Sequence, residues 1–335
     1  MSTLAVDETF LEMVEPLRRE LTAHCYRMLG SVHDAEDLVQ ETYLRAWRAY
    51  HRFEGRSSIR TWMYQIATNV CLTALESKNR RPLPTGLGQP VSDPSGALES
   101  RGDISWLEPL PDALVWGGAP EDPATAVVSR ESVRLAFVAA LQHLTPQQRA
   151  VLILRDVLAW RASEVAKALE LSTAAVNSTL QRARAHVATM TPDERPQPAD
   201  GHAGEMLDGY VKAFEAYDVD RIVELLTADA VWEMPPFVGW YQGNVAIGQL
   251  IETNCPATGP GDMRLLSTAA NGQPVLAVYM RDQAGVYQAF QLQELTLTDA
   301  GVSHVTAFFD LDLFAIFDLP HTLPADRADL QAANR

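Results

Sequence analysis

The stretch from Leu144 to Val187 constrains this chain most, because its apolar residues follow a helical period interrupted by one short polar turn. Val176, Leu180, Ala183 and Val187 stand at i, i+4, i+7 and i+11, the spacing of a single buried helix face. The rest of that helix offers Thr173, Asn177, Ser178, Gln181, Arg182 and Arg184 to its surroundings. A shorter helix, Ser163 to Leu169, comes first. Glu170-Leu171-Ser172 is the turn, and Ser172 is placed to cap the second helix. The pattern predicts a helix-turn-helix whose second helix can enter a DNA major groove.

A net charge of -16 opposes DNA binding until it is mapped along the chain. Residues 83–129 hold one Arg and seven acids, and residues 191–335 hold seven bases and 21 acids, whereas residues 130–190 are net +4. The acidity therefore lies outside the helix-turn-helix, where the sign suits phosphate. A chain of 335 residues is expected to form two or three cores. The N-terminus lacks a basic segment followed by an apolar run, and no apolar stretch approaches the roughly 18 residues of a membrane span, so a cytoplasmic location is expected. Cys25, Cys71 and Cys255 form no metal-ligand spacing and read as buried thiols. No cofactor or metal is expected.

Four segments follow from composition. Residues 10–82 are helical in pattern; 83–129 form an acidic Pro/Gly-rich linker; 130–190 hold the helix-turn-helix; and 201–320 change class. Within the linker, Trp106, Leu107, Leu110, Leu114 and Trp116 are too apolar for a pure spacer, so part of it should dock. The last segment opens with helices at 206–214 and 218–226, followed by β-type runs at 230–234, 275–280, 287–295 and 302–309. The third run alternates, predicting one buried face and one polar face, and the whole predicts an α+β domain.

The first block contains a helix, residues 31–47, with Leu38, Thr42 and Ala46 on one face and Asp34, Asp37, Gln40, Glu41 and Arg45 on the others. After it comes a loop, Phe53 to Trp62, holding Arg56, Ser57, Ser58 and Arg60. The next helix carries Asn69 and ends in Lys78, Arg80 and Arg81. Aromatic rings among polar and basic groups suit an unpaired DNA strand, whose bases stack or insert while cations hold phosphates. Trp47 and Tyr64 are assigned instead to the core.

The strings DAEDLVQETYLRAWR, WMYQIATNVCLTALESKNRR, LTPQQRAVLILRDVL and AAVNSTLQRARA, in this order, resemble regions 2 and 4 of the extracytoplasmic-function sigma factors of the sigma-70 family. Residues 201–320 resemble a SnoaL-like (nuclear transport factor 2-like) cone, a fusion similar to actinobacterial sigma factors of the sigma-G or sigma-J kind. The resemblance implies a multi-domain fold: a region 2 helical bundle, a region 4 helix-turn-helix and a C-terminal α+β cone. It implies a non-enzymatic factor that directs core RNA polymerase to promoters, with the β′ clamp and the β subunit as protein partners and promoter DNA as ligand. It also admits an anti-sigma factor without identifying one. By the resemblance, Asp37, Leu38, Val39, Gln40 and Glu41 bind the polymerase clamp. Phe53, Arg56, Ser57, Ser58, Arg60, Trp62, Asn69, Lys78, Arg80 and Arg81 serve the −10 element. Ser172, Thr173, Asn177, Ser178, Gln181, Arg182 and Arg184 serve the −35 element.

Many relatives carry cations where this chain has Asn177 and Thr179, which implies up to two fewer phosphate contacts, each changing the salt slope by about 0.9. The two promoter elements lie roughly 85 Å apart at about 3.4 Å per step. The linker, fully extended, spans up to about 155 Å, enough to thread a basic polymerase channel on the way. For the C-terminal domain, Trp232, Trp240, Tyr241, Tyr279, His304, Asp310 and Asp312 are candidate pocket groups, but no nucleophile motif or metal set accompanies them, and regulation is the expected role. Two other readings are a ligand-sensing one-component helix-turn-helix regulator, which leaves the first 80 residues unexplained, and an enzyme dependent on His304 or Asp310.

Overall fold

The computed structural model describes residues 10–55, 57–77, 80–116, 130–190, 198 and 200–325. The chain divides into two units, one drawn from residues 1–81 and 107–192, the other from 82–106 and 193–335.

In the first unit, α1 (Arg18–Leu29) and α2 (Val32–Ala49) form a hairpin turned by Gly30 at φ 70° and Ser31. Ser31 caps α2 by accepting a hydrogen bond from the Asp34 amide at 3.1 Å. The buried stripe of α2 is Val32, Ala35, Val39, Thr42 and Ala46. Of the expected face, Thr42 and Ala46 lie on this stripe, whereas Val39 continues it in place of Leu38, which is half-buried. Trp47, expected in the core, is 49% exposed because it follows Ala46 by one residue and so turns about 100° off the packed stripe. Tyr64 is buried on α3 (Ile59–Leu75) as expected, beside Met63, Ala67 and Cys71.

The second helical block comprises α4 (Leu135–Gln142), α5 (Pro146–Leu152), a π-type turn over Ile153–Val157, α6 (Ala162–Ala168) and α7 (Thr173–Met190). A Thr145–Gln148 capping box starts α5, so Pro146 loses no hydrogen bond at its N1 position. The two blocks pack together through buried arginines. Arg27 donates to the carbonyl and hydroxyl of Ser132 at 3.1 and 2.8 Å, and Arg149 donates to the Met28 carbonyl.

Leu107 and Leu110, 1% and 0% exposed, belong to this unit, so the expected docking of the linker is real for its second half. Leu107 sits against the α1–α2 turn. A Cβ placed on Gly30 would lie 2.7 Å from Leu107 Cδ1 and 3.0 Å from Gln142 Cδ. Gly30→Ala combines left-handed strain with this clash. It is expected to destabilise the unit by about 2 kcal/mol or more, read as a lowered urea midpoint at unchanged m-value.

The second unit places α8 (Asp200–Glu215), α9 (Val219–Leu225) and α10 (Asn244–Asn254) with a mixed sheet of seven described strands. These are β1 (Leu226–Glu233), β2 (Trp240–Gln242), β3 (Met263–Ala270), β4 (Gln273–Arg281), β5 (Tyr287–Thr298), β6 (Gly301–Phe308) and β7 (Thr322–Leu323), with a short helix α11 (Asp312–Ile316) before the last. The order is β2-β1-β6-β5-β4-β3, with β7 on β5, and only the β1–β6 pair is parallel. The core gathers Tyr210, Phe214, Trp232, Leu276, Val278, Leu295 and Val305. β5 departs from expectation, because from Gln291 onward nearly every residue of both faces is buried. Gln293 tolerates this by accepting a hydrogen bond from the Tyr210 hydroxyl at 3.1 Å.

Candidate nucleic-acid interface

Ser172, Thr173, Asn177, Ser178, Gln181, Arg182 and Arg184 are all exposed, on the side of α7 opposite buried Val176, Leu180 and Ala183. Glu170 makes the turn with φ +54°, and the Ser172 hydroxyl accepts from the Ala175 amide at 3.1 Å. Ser172 therefore spends its side chain on capping. Thr179 is 5% exposed and accepts from Arg182 at 3.3 Å, so it belongs to the packed face. Asn177, by contrast, faces outward.

Sequence reasoning did not foresee that Arg184 forms a two-point ion pair with Asp156, at 2.8 and 2.7 Å. The same holds in the first block. Arg60 donates to both oxygens of Glu20, at 3.0 and 2.7 Å, and its guanidinium lies 5.1 Å from the Tyr64 ring centroid. Arg81 bonds Asp34 at 2.8 Å and Glu108 at 3.2 Å, and Arg80 meets His143 at 2.9 Å. No sequence motif announces these pairs, since each joins residues 27 or more positions apart.

Of the other first-block candidates, Ser57, Ser58 and Asn69 are exposed, and Phe53 and Trp62 are half-buried. Phe53 and Trp62 touch with ring centroids 4.9 Å apart, and Tyr50 stacks on Phe53 at 6.4 Å, making an aromatic ledge at the loop. Ser58 caps α3 by accepting from the Thr61 amide at 3.1 Å. Arg56 and Lys78 lie outside the described residues. On α2, Asp37 and Gln40 are exposed, while Leu38 and Glu41 are partly buried. Glu41 pairs with Arg45 at 2.6 Å. Val39, 1% exposed, cannot touch a partner in this form.

The C-terminal candidates do not converge. Trp232 lies in the core, Tyr279 donates to the Pro320 carbonyl at 2.9 Å, and Asp310 accepts from the Asp312 amide at 3.0 Å. His304 does find a carboxylate that the sequence did not reveal, Glu233 at 2.8 Å, because parallel β1 and β6 bring residues 71 apart together. The other oxygen of this fully buried Glu233 accepts from the Thr85 amide at 2.9 Å. The pair is thus engaged by the first half of the linker. That half continues along β2: Ser92 donates to Trp240, Val238 to Glu99, Arg101 to Pro236, and the Trp240 indole to Gln89, all at 2.9–3.0 Å. Among the described residues no group of His, Cys, Asp and Glu could hold a metal. No described helix is long and apolar enough to cross a membrane.

The Sigma-70 region 2 family matches residues 13–81, the Sigma-70 region 4 family residues 134–187, and the SnoaL-like domain residues 207–311. The chain is 60% identical over 317 residues to the ECF RNA polymerase sigma factor SigG of Mycobacterium tuberculosis (strain ATCC 25618 / H37Rv), covering 94% of this chain and 85% of that one. It is 31% identical to ECF RNA polymerase sigma factor SigJ of the same strain, over 74% of this chain and 73% of that one. The crystal structure of SigJ is similar with a TM-score of 0.59 and 25% identity, covering 93% of this chain and 99% of that one.

Proposed function

The chain belongs to the extracytoplasmic-function sigma factors, and from that premise we propose how its parts divide the work of promoter recognition. As a sigma factor it binds core RNA polymerase and promoter DNA. In our reading, exposed Asp37 and Gln40 on α2 face the β′ clamp, and the Phe53–Trp62 ledge with Ser57, Asn69 and the Arg80–Arg81 end takes the opened −10 strand. Thr173, Asn177, Ser178, Gln181 and Arg182 read the −35 groove. The observation that carries this is the segregation of α7, whose predicted reading residues are all solvent-facing over a buried Val176–Leu180–Ala183 stripe.

The domain bearing the SnoaL-like match acts, in this reading, by holding linker residues 85–101 rather than by turnover. The Glu233–Thr85 contact and the β2-edge hydrogen bonds support that role. To thread a polymerase channel, this half of the linker must first leave those partners.

Run-off transcription with core polymerase tests the assignment. Full-length protein is expected to initiate at its own promoter and to comigrate with core on gel filtration. Gln181→Ala and Arg182→Ala should each weaken −35 binding by about 1–3 kcal/mol without altering comigration. Specific DNA binding by a dimer that never associates with core would instead support the one-component regulator.

A further inference from the structure

Linker residue Glu108 is built into the turn of the α1–α2 hairpin by both backbone and side chain. Its amide donates to the Gly30 carbonyl at 3.0 Å, and its own carbonyl accepts from the Tyr26 hydroxyl at 2.7 Å. One carboxylate oxygen accepts from the Ser31 hydroxyl at 2.8 Å, the Val32 amide at 3.0 Å and His33 Nδ1 at 3.0 Å, all at the positive end of α2. The other accepts from Arg81 Nη1 at 3.2 Å, while Asp34 takes Arg81 Nη2 at 2.8 Å. The side chains of Arg81, Asp34 and Glu108 are only 15–17% exposed. Burial works against the Glu108 carboxylate, but the His33 hydrogen bond, the Arg81 charge and the Ser31 hydrogen bond outweigh it and hold its pKa below the usual value.

A DNA phosphate would present Arg81 with the same kind of partner: anionic oxygens that accept from both Nη atoms of the guanidinium fork. We propose that Glu108 is an intramolecular competitor of DNA for Arg81, so that the linker, while docked on region 2, withholds one cation from the −10 strand. The inference rests on the reading of Arg81 as a DNA contact. It adds that release of linker residues 107–111 and engagement of the strand by Arg81 are linked, each favouring the other.

The test uses the full-length protein and a fluorescein-labelled 20-nucleotide single strand of mixed sequence, titrated from about 50 to 200 mM salt. Gaining one phosphate contact steepens the slope of log K against log salt by about 0.7, worth about 3- to 10-fold in affinity at the low-salt end. Glu108→Gln is expected to show both changes, and Asp34→Asn a gain in the same direction. In the Glu108→Gln background Arg81→Gln should lose the gained affinity, and the double variant should bind no more tightly than Arg81→Gln alone. If Arg81→Gln does not weaken binding even in the Glu108→Gln background, the DNA-contact reading fails and the competition with it. If Arg81→Gln weakens binding but Glu108→Gln leaves affinity unchanged, or raises it equally in the Arg81→Gln background, the competition alone is overturned. Should Glu108→Gln fail to fold by circular dichroism, Asp34→Asn decides: an unchanged affinity and slope overturn the proposal.

Discussion

Replacing Arg149 with alanine is expected to destabilise the helical unit by about 3 kcal/mol, and replacing it with lysine should recover little of that loss. The guanidinium is 3% exposed, and burial lowers its pKa to about 10. What holds a charge there is the negative end of two helices. One nitrogen donates to Gln142 Oε1 at 2.8 Å and to the Met28 carbonyl near the end of α1; the other donates to the carbonyls of Gln142 and Leu144, each at 3.3 Å, at the end of α4. Alanine leaves these carbonyls buried without donors and opens a cavity. A lysine ammonium has no fork with which to serve both helix ends. Methionine refills much of the volume and removes the cost of burying a charge, so Arg149→Met should fall between wild type and Arg149→Ala. Urea unfolding of the four proteins, followed by near-ultraviolet circular dichroism, gives the ranking; equal midpoints for wild type and Arg149→Ala would refute the account.

The same residue bears on function, because Arg149 and Arg27 are the buried polar links between the region 2 and region 4 blocks among the described residues. Two blocks of about 60–70 residues have radii of gyration near 11 Å, so in contact their centres lie roughly 30 Å apart. The promoter elements are separated by roughly 85 Å. The packed arrangement therefore cannot occupy both at once, and the blocks must part on the promoter. In this packed form Arg60 is paired with Glu20, Arg81 with Asp34 and Glu108, and Arg184 with Asp156, so each is engaged by carboxylates of the chain itself. Arg149→Met, which loosens the contact without a large loss of fold, should bind promoter DNA more tightly than wild type in the absence of core.

What was legible in the sequence followed from short-range periodicity. The Val176–Leu180–Ala183 stripe, the Glu170 turn and the Ser172 cap are local, and they stand where the spacing put them. The β4, β5 and β6 runs likewise declared themselves through β-branched and aromatic residues. Strand β3, MRLLSTAA, was missed because small residues and Ser267 dilute its pattern; only its eight-residue ladder with β4 makes it a strand. The burial of Thr179 was not legible, because its place between Ser178 and Leu180 leaves it at the edge of the apolar stripe. The Arg–carboxylate pairs and the Glu233–His304 contact were illegible for a different reason: each is set by tertiary register between distant segments, and single charged residues carry no period. The Pro/Gly-rich composition of residues 83–129 spoke for a spacer, and it could not show that Leu107 packs onto Gly30 or that Thr85 meets a buried carboxylate.

Acid should weaken the helical unit through His24, and the effect should vanish when that one residue is changed. His24 is fully buried on α1, and burial, followed by the nearby Arg27 charge, depresses its pKa to about 3. The Thr68 hydroxyl donates to the Tyr64 carbonyl at 2.7 Å, so its oxygen must accept from His24 Nε2 at 3.0 Å. The ring is thus the neutral Nε2–H form, with Nδ1 buried and without a hydrogen-bond partner. The unfolded chain binds a proton at His24 near pH 6.5, whereas the folded chain resists it to about pH 3. Between those values the unfolded state holds more protons, so stability rises with pH. The contribution is fully present above about pH 6.5 and is lost as the pH falls toward 3. Its slope is about 1.4 kcal/mol per pH unit, so lowering the pH from 6.5 to 5 should cost about 2 kcal/mol from this residue. His24→Gln can still donate to Thr68 and does not titrate. Urea midpoints at pH 7 and pH 5 should therefore differ markedly for wild type and much less for His24→Gln, even where the variant is less stable at neutral pH. An equal pH dependence in the two proteins would mean that the unit admits a proton at His24 without losing its packing.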